Sequence, residues 1–290
     1  MAFLNFRSKT VSILLISTLL ATGCKQHKRI IKSPPHYDFS QAQIIKLDLK
    51  LKEISGIEWD AERDEFLAHY DESGSLFILD KETKAIKPPS PYKFGAKGDY
   101  EDIALYKGVP YVLRSDGMLT KIIRDSAGVR GVEVGKLNIA GTNDFETLYA
   151  DTSRKALIMV CKNCAMDDKS QVSAFAYYPD SIGFVNDPVF RIDAAKIKQM
   201  SLEDGQKKTS KFQPSAASIH PILKKLYIIS SASSQFVVCD LNGNPESVNE
   251  FGKKLFPQPE GLTFKRNGDM YISNEGVGSR ATILRFVYKP

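Results

Sequence analysis

The clearest pattern along the chain is a short segment that returns five times, each copy a few polar or small residues set among apolar ones. It reads Ile54-Ser55-Gly56-Ile57-Glu58-Trp59, Tyr100-Glu101-Asp102-Ile103-Ala104-Leu105, Phe145-Glu146-Thr147-Leu148-Tyr149-Ala150, Pro214-Ser215-Ala216-Ala217-Ser218-Ile219 and Pro259-Glu260-Gly261-Leu262-Thr263-Phe264. Aligned on the second residue, the copies start at 55, 101, 146, 215 and 260, at intervals of 46, 45, 69 and 45. An aliphatic-aromatic run follows each copy, at Glu65–His69, Val109–Leu113, Ala156–Val160, Leu226–Ser230 and Met270–Ser273. Third runs follow at Leu76–Leu79, Met118–Ile123, Val172–Tyr177, Phe236–Cys239 and Thr282–Val287. Turn residues separate them, among them Glu72-Ser73-Gly74, Ser115-Asp116-Gly117, Asn242-Gly243-Asn244 and Asn267-Gly268-Asp269. No run alternates cleanly between apolar and polar, as expected of strands packed on both faces. A period near 45 with several strands per unit predicts a β-propeller, one four-stranded blade per repeat.

Two irregularities complete the picture. The interval of 69 exceeds the others by 24 residues, too few for another blade. Asp193–Leu202 has helical spacing, with Ile197 and Met200 on one side and Asp193 as N-cap. It reads as a short helical insertion after blade three, followed by an exposed basic loop, Asp204–Lys211. The last repeat has room for only three strands, and Ile44–Leu49 can supply the fourth, closing the ring without a free edge. The expected fold is therefore all-β, a five-bladed propeller over residues 41–290, with six blades as the alternative.

Upstream lies an address. Arg7 and Lys9 precede the apolar run Val11–Ala21, which ends at Thr22-Gly23-Cys24. Eleven residues at about 1.5 Å each reach about half of a ~30 Å hydrocarbon core, so this is a signal peptide over 1–23. The Ala-Thr-Gly-Cys ending resembles a bacterial lipobox, although Ala21 stands where leucine is usual. It implies cleavage before Cys24, lipidation of that residue and anchoring to the cell envelope. Residues 24–40 then form a tether, with Lys25, Lys28, Arg29 and Lys32 close to anionic lipid and Pro34-Pro35 as an extended spacer.

Composition adds exclusions. With 42% hydrophobic and 26% charged residues, the chain is neither disordered, collagen-like nor a multispanning membrane protein. The net charge of +6 resides in residues 1–32, which carry six bases and no acid; the remainder has 34 bases and 34 acids. The folded part is neutral, and no nucleic-acid partner is expected.

The candidate chemistry lies in the repeat. First strands of propeller blades line the central channel, so Ser55, Glu101, Glu146, Ser215 and Glu260 should converge there. Three carboxylates facing one funnel repel each other. A hard cation relieves that repulsion, and Ca2+ accepts six to eight oxygen ligands in loose geometry. Asp71 and Asn274, at the ends of second strands, are secondary candidates as ligands. A metal-free reading stays open beside it, in which Arg114 pairs with Glu101 and Lys162 with Glu146. Cys161 and Cys164 have CxxC spacing, compatible with a local disulfide or with free thiols, and Cys239 reads as a buried apolar residue. Catalytic residues are not assigned: no nucleophile elbow or P-loop occurs, His220 reads as a turn residue, and His69 is at most a candidate base.

Taken together, Ile54–Asp60, Lys97–Tyr106, Ser115–Ile122, Leu157–Cys164, Phe212–Pro221, Leu226–Ser233, Phe256–Phe264 and Met270–Gly276 resemble the SdiA-regulated, YjiK-like family of bacterial propellers, distantly akin to NHL-repeat proteins. The resemblance implies a five-bladed propeller exported to the envelope and carrying a calcium site; it implies no activity. The expected function is an envelope-tethered, monomeric binding or scaffold module with Ca2+ in its funnel and an unknown protein or small-molecule ligand on the propeller face. The alternative is a calcium-assisted hydrolase of a phosphoester, ester or lactone, with His69, Asp71 or Glu275 as the available bases.

Overall fold

Each repeat builds one antiparallel sheet. Blade one comprises β2 (Ile54–Asp60), β3 (Glu65–Tyr70), β4 (Ser73–Leu79) and β5 (Tyr92–Lys97); β1 (Gln43–Lys46) precedes it in the chain. Blade two comprises β6 (Tyr100–Tyr106), β7 (Val109–Arg114), β8 (Met118–Asp125) and β9 (Gly128–Lys136). Blade three comprises β10 (Asn143–Asp151), β11 (Ala156–Cys164), β12 (Gln171–Tyr178) and β13 (Gly183–Asp193). Blade four comprises β14 (Ala216–Ile219), β15 (Leu226–Ser230), β16 (Gln235–Cys239) and β17 (Pro245–Glu250). Blade five takes β18 (Pro259–Phe264), β19 (Met270–Asn274) and β20 (Thr282–Phe286), and β1 completes it. The computed structural model describes residues 1–2, 33–205 and 210–290. Residues 3–32, which hold most of the expected leader, Cys24 and the basic residues of the expected tether, and Lys207 and Lys208 of the insertion lie outside the described residues. Among those described, no helix is long and apolar enough to cross a membrane.

The ring closes as the short last repeat predicts. β1 pairs antiparallel with β20, Ile44 facing Leu284 and Ile45 facing Ile283. The first strands touch in cyclic order, β2 to β6, β10, β14, β18 and back to β2. This makes five blades, without a sixth, among the described residues. The helix α1 (Ala194–Glu203) follows blade three, and Asp193 caps it by accepting from the Lys196 amide at 2.8 Å.

The core lies between blades, so both faces of the middle strands are apolar. One cluster joins blades two to four through Leu113, Phe145, Met159, Phe175 and Ile228, and others join blade five to one and blade one to two. A further cluster joins blades four and five and corrects the N-terminal boundary: Tyr37 and Phe39, expected in the linker, belong to the fold. Phe39 is 3% exposed, with its ring 5.0 Å from those of Phe256 and Phe286. The Tyr37 hydroxyl donates to the Gly268 carbonyl at 2.6 Å and lies 2.7 Å from His220 Nε2. His220 Nδ1 accepts from the amides of Ile222 and Leu223, so the ring is a buried brace between strap and turn.

Side chains at the inner strands tie neighbouring blades together. The Ser55 hydroxyl donates to the Glu101 carbonyl at 2.6 Å, Ser215 to the Pro259 carbonyl at 2.9 Å, and Ser273 to the Ser55 carbonyl at 3.1 Å. Buried Asp102 accepts from the Leu148 amide of the next blade at 2.8 Å. Blades one and five need glycine at the third position of the repeat. A Cβ on Gly56 would lie 2.7 Å from both His69 Nε2 and Asp102 Oδ1, and one on Gly261 would lie 2.8 Å from the Ile57 nitrogen.

Candidate functional site

The second residue of the repeat is aimed by a local break in the ladder. In β6, Tyr100 faces Arg114 and Asp102 faces Leu113, which leaves Glu101 without an opposite residue. Glu146 of β10 is skipped in the same way between Phe145 and Thr147, and Glu260 of β18 between Pro259 and Gly261. In β2, Ser55 and Gly56 together are set against His69. A bulge inserts an extra residue and re-aims its side chain. In four blades, then, the repeat extrudes its second residue from the sheet at the same level. In blade four, Ser215 lies just before β14, its amide donating to the Ile229 carbonyl at 2.8 Å.

All five of these residues line one central cavity of about 430 Å³. Asp71 lines it too, joined by Glu53, Asp99 and Glu275. Seven carboxylates therefore face two ammonium groups, those of Lys162 and Lys253, a formal excess of five negative charges. Burial pushes the Glu101 carboxyl up to about 8, reinforced by Asp99 and opposed by Lys162. Burial likewise pushes Glu260 up to about 8, reinforced by Glu275 and opposed by Lys162 and a hydrogen bond from Gln258. Asp71 and Glu275 are raised, chiefly by burial and then by neighbouring carboxylates. The funnel thus holds protons that free carboxylic acids release well below neutrality.

Several expectations change here. Arg114 does not reach Glu101: it pairs bidentately with Asp116, both contacts at 2.9 Å, because the turn after β7 brings that acid closer. Lys162 does pair with Glu146 and lies 3.9 Å from Asp144. Asn274 is fully buried within blade five, donating to Thr282 Oγ1 at 3.2 Å, and is not among the cavity's lining residues. His69 is also fully buried; its Nε2 accepts from the Gly56 amide at 2.9 Å, so it supports the bulge and is removed as a candidate base. Ser55 and Ser215 line the funnel while their hydroxyl protons serve the blade staples. Cys161 and Cys164 form a disulfide, and Cys239 is buried and free.

A second ring of polar residues accompanies the first and is not marked by the repeat's apolar frame. Two residues before each aligned position stand Glu53, Asp99, Asp144, Gln213 and Gln258, an acid or amide in every repeat. Four of them line the cavity, and Asp144 lies 3.9 Å from the ammonium of Lys162, which does. Reading the repeat two residues further upstream finds them.

The donor set suits a hard cation. Its side chains offer carboxylate, amide and hydroxyl oxygens and no thiol or imidazole. The carboxylates are spread around the ring: among the described residues, the only three potential ligands with atoms within 4.8 Å of one another are Cys161, Cys164 and Asp167, whose two sulfurs are bonded to each other. An ion in the funnel would therefore draw on a few carboxylates supplemented by neutral oxygens.

No protein-family profile and no curated protein sequence matches the chain. Solved structures match its fold. A glutaminyl cyclase from Myxococcus xanthus superposes with a TM-score of 0.54 at 13% identity, over 85% of this chain and 97% of its own. A luciferin-regenerating enzyme gives 0.52 at 11% identity, over 85% and 95%. A gluconolactonase from Xanthomonas campestris gives 0.50 at 13%, over 87% and 81%. At these identities the likeness concerns the propeller fold alone.

Proposed function

We propose that this chain is an envelope-tethered binding module of the SdiA-regulated, YjiK-like type, whose funnel binds Ca2+ and whose propeller face takes a protein or small-molecule ligand. One observation carries the cation: bulges in three blades drive Glu101, Glu146 and Glu260 into a single cavity already rich in acid. Such a convergence is costly for packing alone, because it buries carboxylates in one cavity with too few bases to neutralise them. Glu101, Glu146 and Glu260 would hold the ion, in part through water because they are spread around the ring, helped by Asp71, Ser55 and the amides of Gln213 and Gln258. Bound Ca2+ would supply positive charge that keeps these carboxylates ionised. The tether and its lipid are read from Cys24 and the apolar run before it, and would hold the module, as a monomer, at a membrane surface.

A second reading is favoured by the size of the cavity, which at about 430 Å³ is in the range of small-molecule sites. There the ion would polarise an ester, lactone or phosphoester oxygen. With His69 removed, Asp71 or Glu275 would accept the proton.

Thermal melts of the purified protein with a calcium chelator, then with calcium restored, test the binding reading. Chelation should lower Tm, calcium should restore it, and Glu146→Gln should abolish the response. An unchanged Tm in all conditions would count against it; hydrolysis of a simple ester or lactone that calcium restores would favour the second reading.

A further inference from the structure

The Cys161–Cys164 disulfide closes across Lys162 and Asn163 inside strand β11. Residues three apart in an extended strand have Cα atoms about 10 Å apart; these two are 5.8 Å apart. The backbone between them is folded back, and the pairing shows where. Asn163 faces Asp144 and Cys161 faces Phe145, so Lys162 has no opposite residue. On the facing strand the skipped residue is Glu146. Two opposed bulges therefore push a base and an acid out of the sheet together, and their side chains pair in the funnel. The same ammonium lies 3.9 Å from Asp144 and acts electrostatically on Glu101 and Glu260 from two other blades. Asn163 is fixed in turn by Lys211, whose ammonium donates to its side-chain oxygen at 2.5 Å. A tethered cation thus already sits on the ring that a free cation would use.

We propose that Lys162, placed by the disulfide-closed bulge, is a built-in competitor that sets the funnel's affinity for divalent cations. This rests on the cation-binding reading above. A divalent ion entering beside Glu146 must break the Lys162–Glu146 pair and meets the repulsion of an ammonium a few ångströms away. Removing that charge raises the formal excess in the cavity from five negative charges to six. The funnel would then take up cation only when its concentration is high enough to displace the lysine, so Lys162 makes the site responsive where a bare acidic ring would be saturated.

Calorimetric titration with calcium chloride of the wild type, Lys162→Met and Lys162→Arg separates the outcomes, with circular dichroism confirming that each is folded. Lys162→Met should bind about tenfold more tightly or better, since a unit charge at such a range in partly solvated surroundings is worth more than 1.4 kcal/mol, a factor of ten. Lys162→Arg keeps the charge and should stay within about threefold of wild type. If wild type binds calcium and Lys162→Met binds no more tightly, the competitor role is overturned and the cation site stands. Binding by Lys162→Met alone would support the competitor role and refute a resident ion in the native funnel. Absence of binding in all three proteins overturns both.

Discussion

Neutralising Glu260 should stabilise the calcium-free protein, by an amount that grows with pH. Its carboxyl is pushed up to about 8 by burial and by Glu275, whereas a glutamate in an unfolded chain titrates near about 4.3. Between those values the folded chain holds a proton that the unfolded chain has released. The contribution of Glu260 to stability is thus intact below about pH 4.3 and is lost progressively as pH rises toward 8. A full shift would be worth about 1.4 kcal/mol per pH unit across that window. Glu260 shares its repulsion with Glu101 and Glu275 and is partly reached by water, so about 1–2 kcal/mol is a reasonable figure between pH 5 and 8. For a domain of this size that corresponds to roughly 2–8 °C in Tm. Melts of wild type and Glu260→Gln in chelator, read by circular dichroism from pH 5 to 8, isolate the effect as a difference between the two proteins. The two should nearly coincide at pH 5, and the variant should lead by several degrees at pH 8. Adding calcium should reverse the order at pH 8, because only the wild type keeps the full ligand set. A difference that is constant with pH, or a variant that falls further behind as pH rises, would show that Glu260 carries no such penalty.

Two further predictions concern the frame that holds the funnel. Phe39→Ala empties a site packed by Phe236, Phe256 and Phe286, and should cost about 3–5 kcal/mol by chemical denaturation; a cost under about 1 kcal/mol would show that the N-terminal strap is dispensable. Arg124→Met removes the guanidinium that donates to Glu65 at 2.6 Å and lies 3.7 Å from Asp60, leaving two buried carboxylates to Arg63 and Lys87 alone. It should cost about 2–3 kcal/mol by chemical denaturation at neutral pH; an unchanged stability would show that Arg63 and Lys87 suffice.

Much of this architecture can be read from hydrophobic pattern because propeller blades bury both faces of their middle strands. Runs such as Leu226–Ser230 and Phe236–Cys239 are fully buried, and they stand out in the chain. Outer strands carry little such signal. β9 alternates irregularly between exposed and half-buried residues, and β13 is mostly exposed or half-buried, so neither is visible by periodicity. The funnel residues are legible for a different reason: the repeat superposes Glu101, Glu146 and Glu260, and the fold sends superposed residues to one axis. What the pattern could not give is aim. Glu101 faces the cavity because a bulge turns it there, while Asp102 beside it is buried as an inter-blade brace. Asn274 and Glu275 are adjacent in sequence, yet only the second reaches the cavity. The partner of Arg114 is equally hidden: Asp116, two residues away, claims it in place of Glu101. Tyr37 and Phe39 follow a Pro-Pro pair and have no periodic neighbours, so their place in the core depends on blades four and five, far downstream in the chain.

Stoichiometry decides whether the acidic funnel is a calcium site. The protein should be stripped with chelator, dialysed to equilibrium against calcium-containing buffer at pH 7.5, and its bound metal measured by elemental analysis beside a Glu101→Gln/Glu260→Gln variant. About one calcium ion per wild-type chain and almost none in the variant is the expected result. No bound calcium in the wild type, or equal amounts in both proteins, would contradict it.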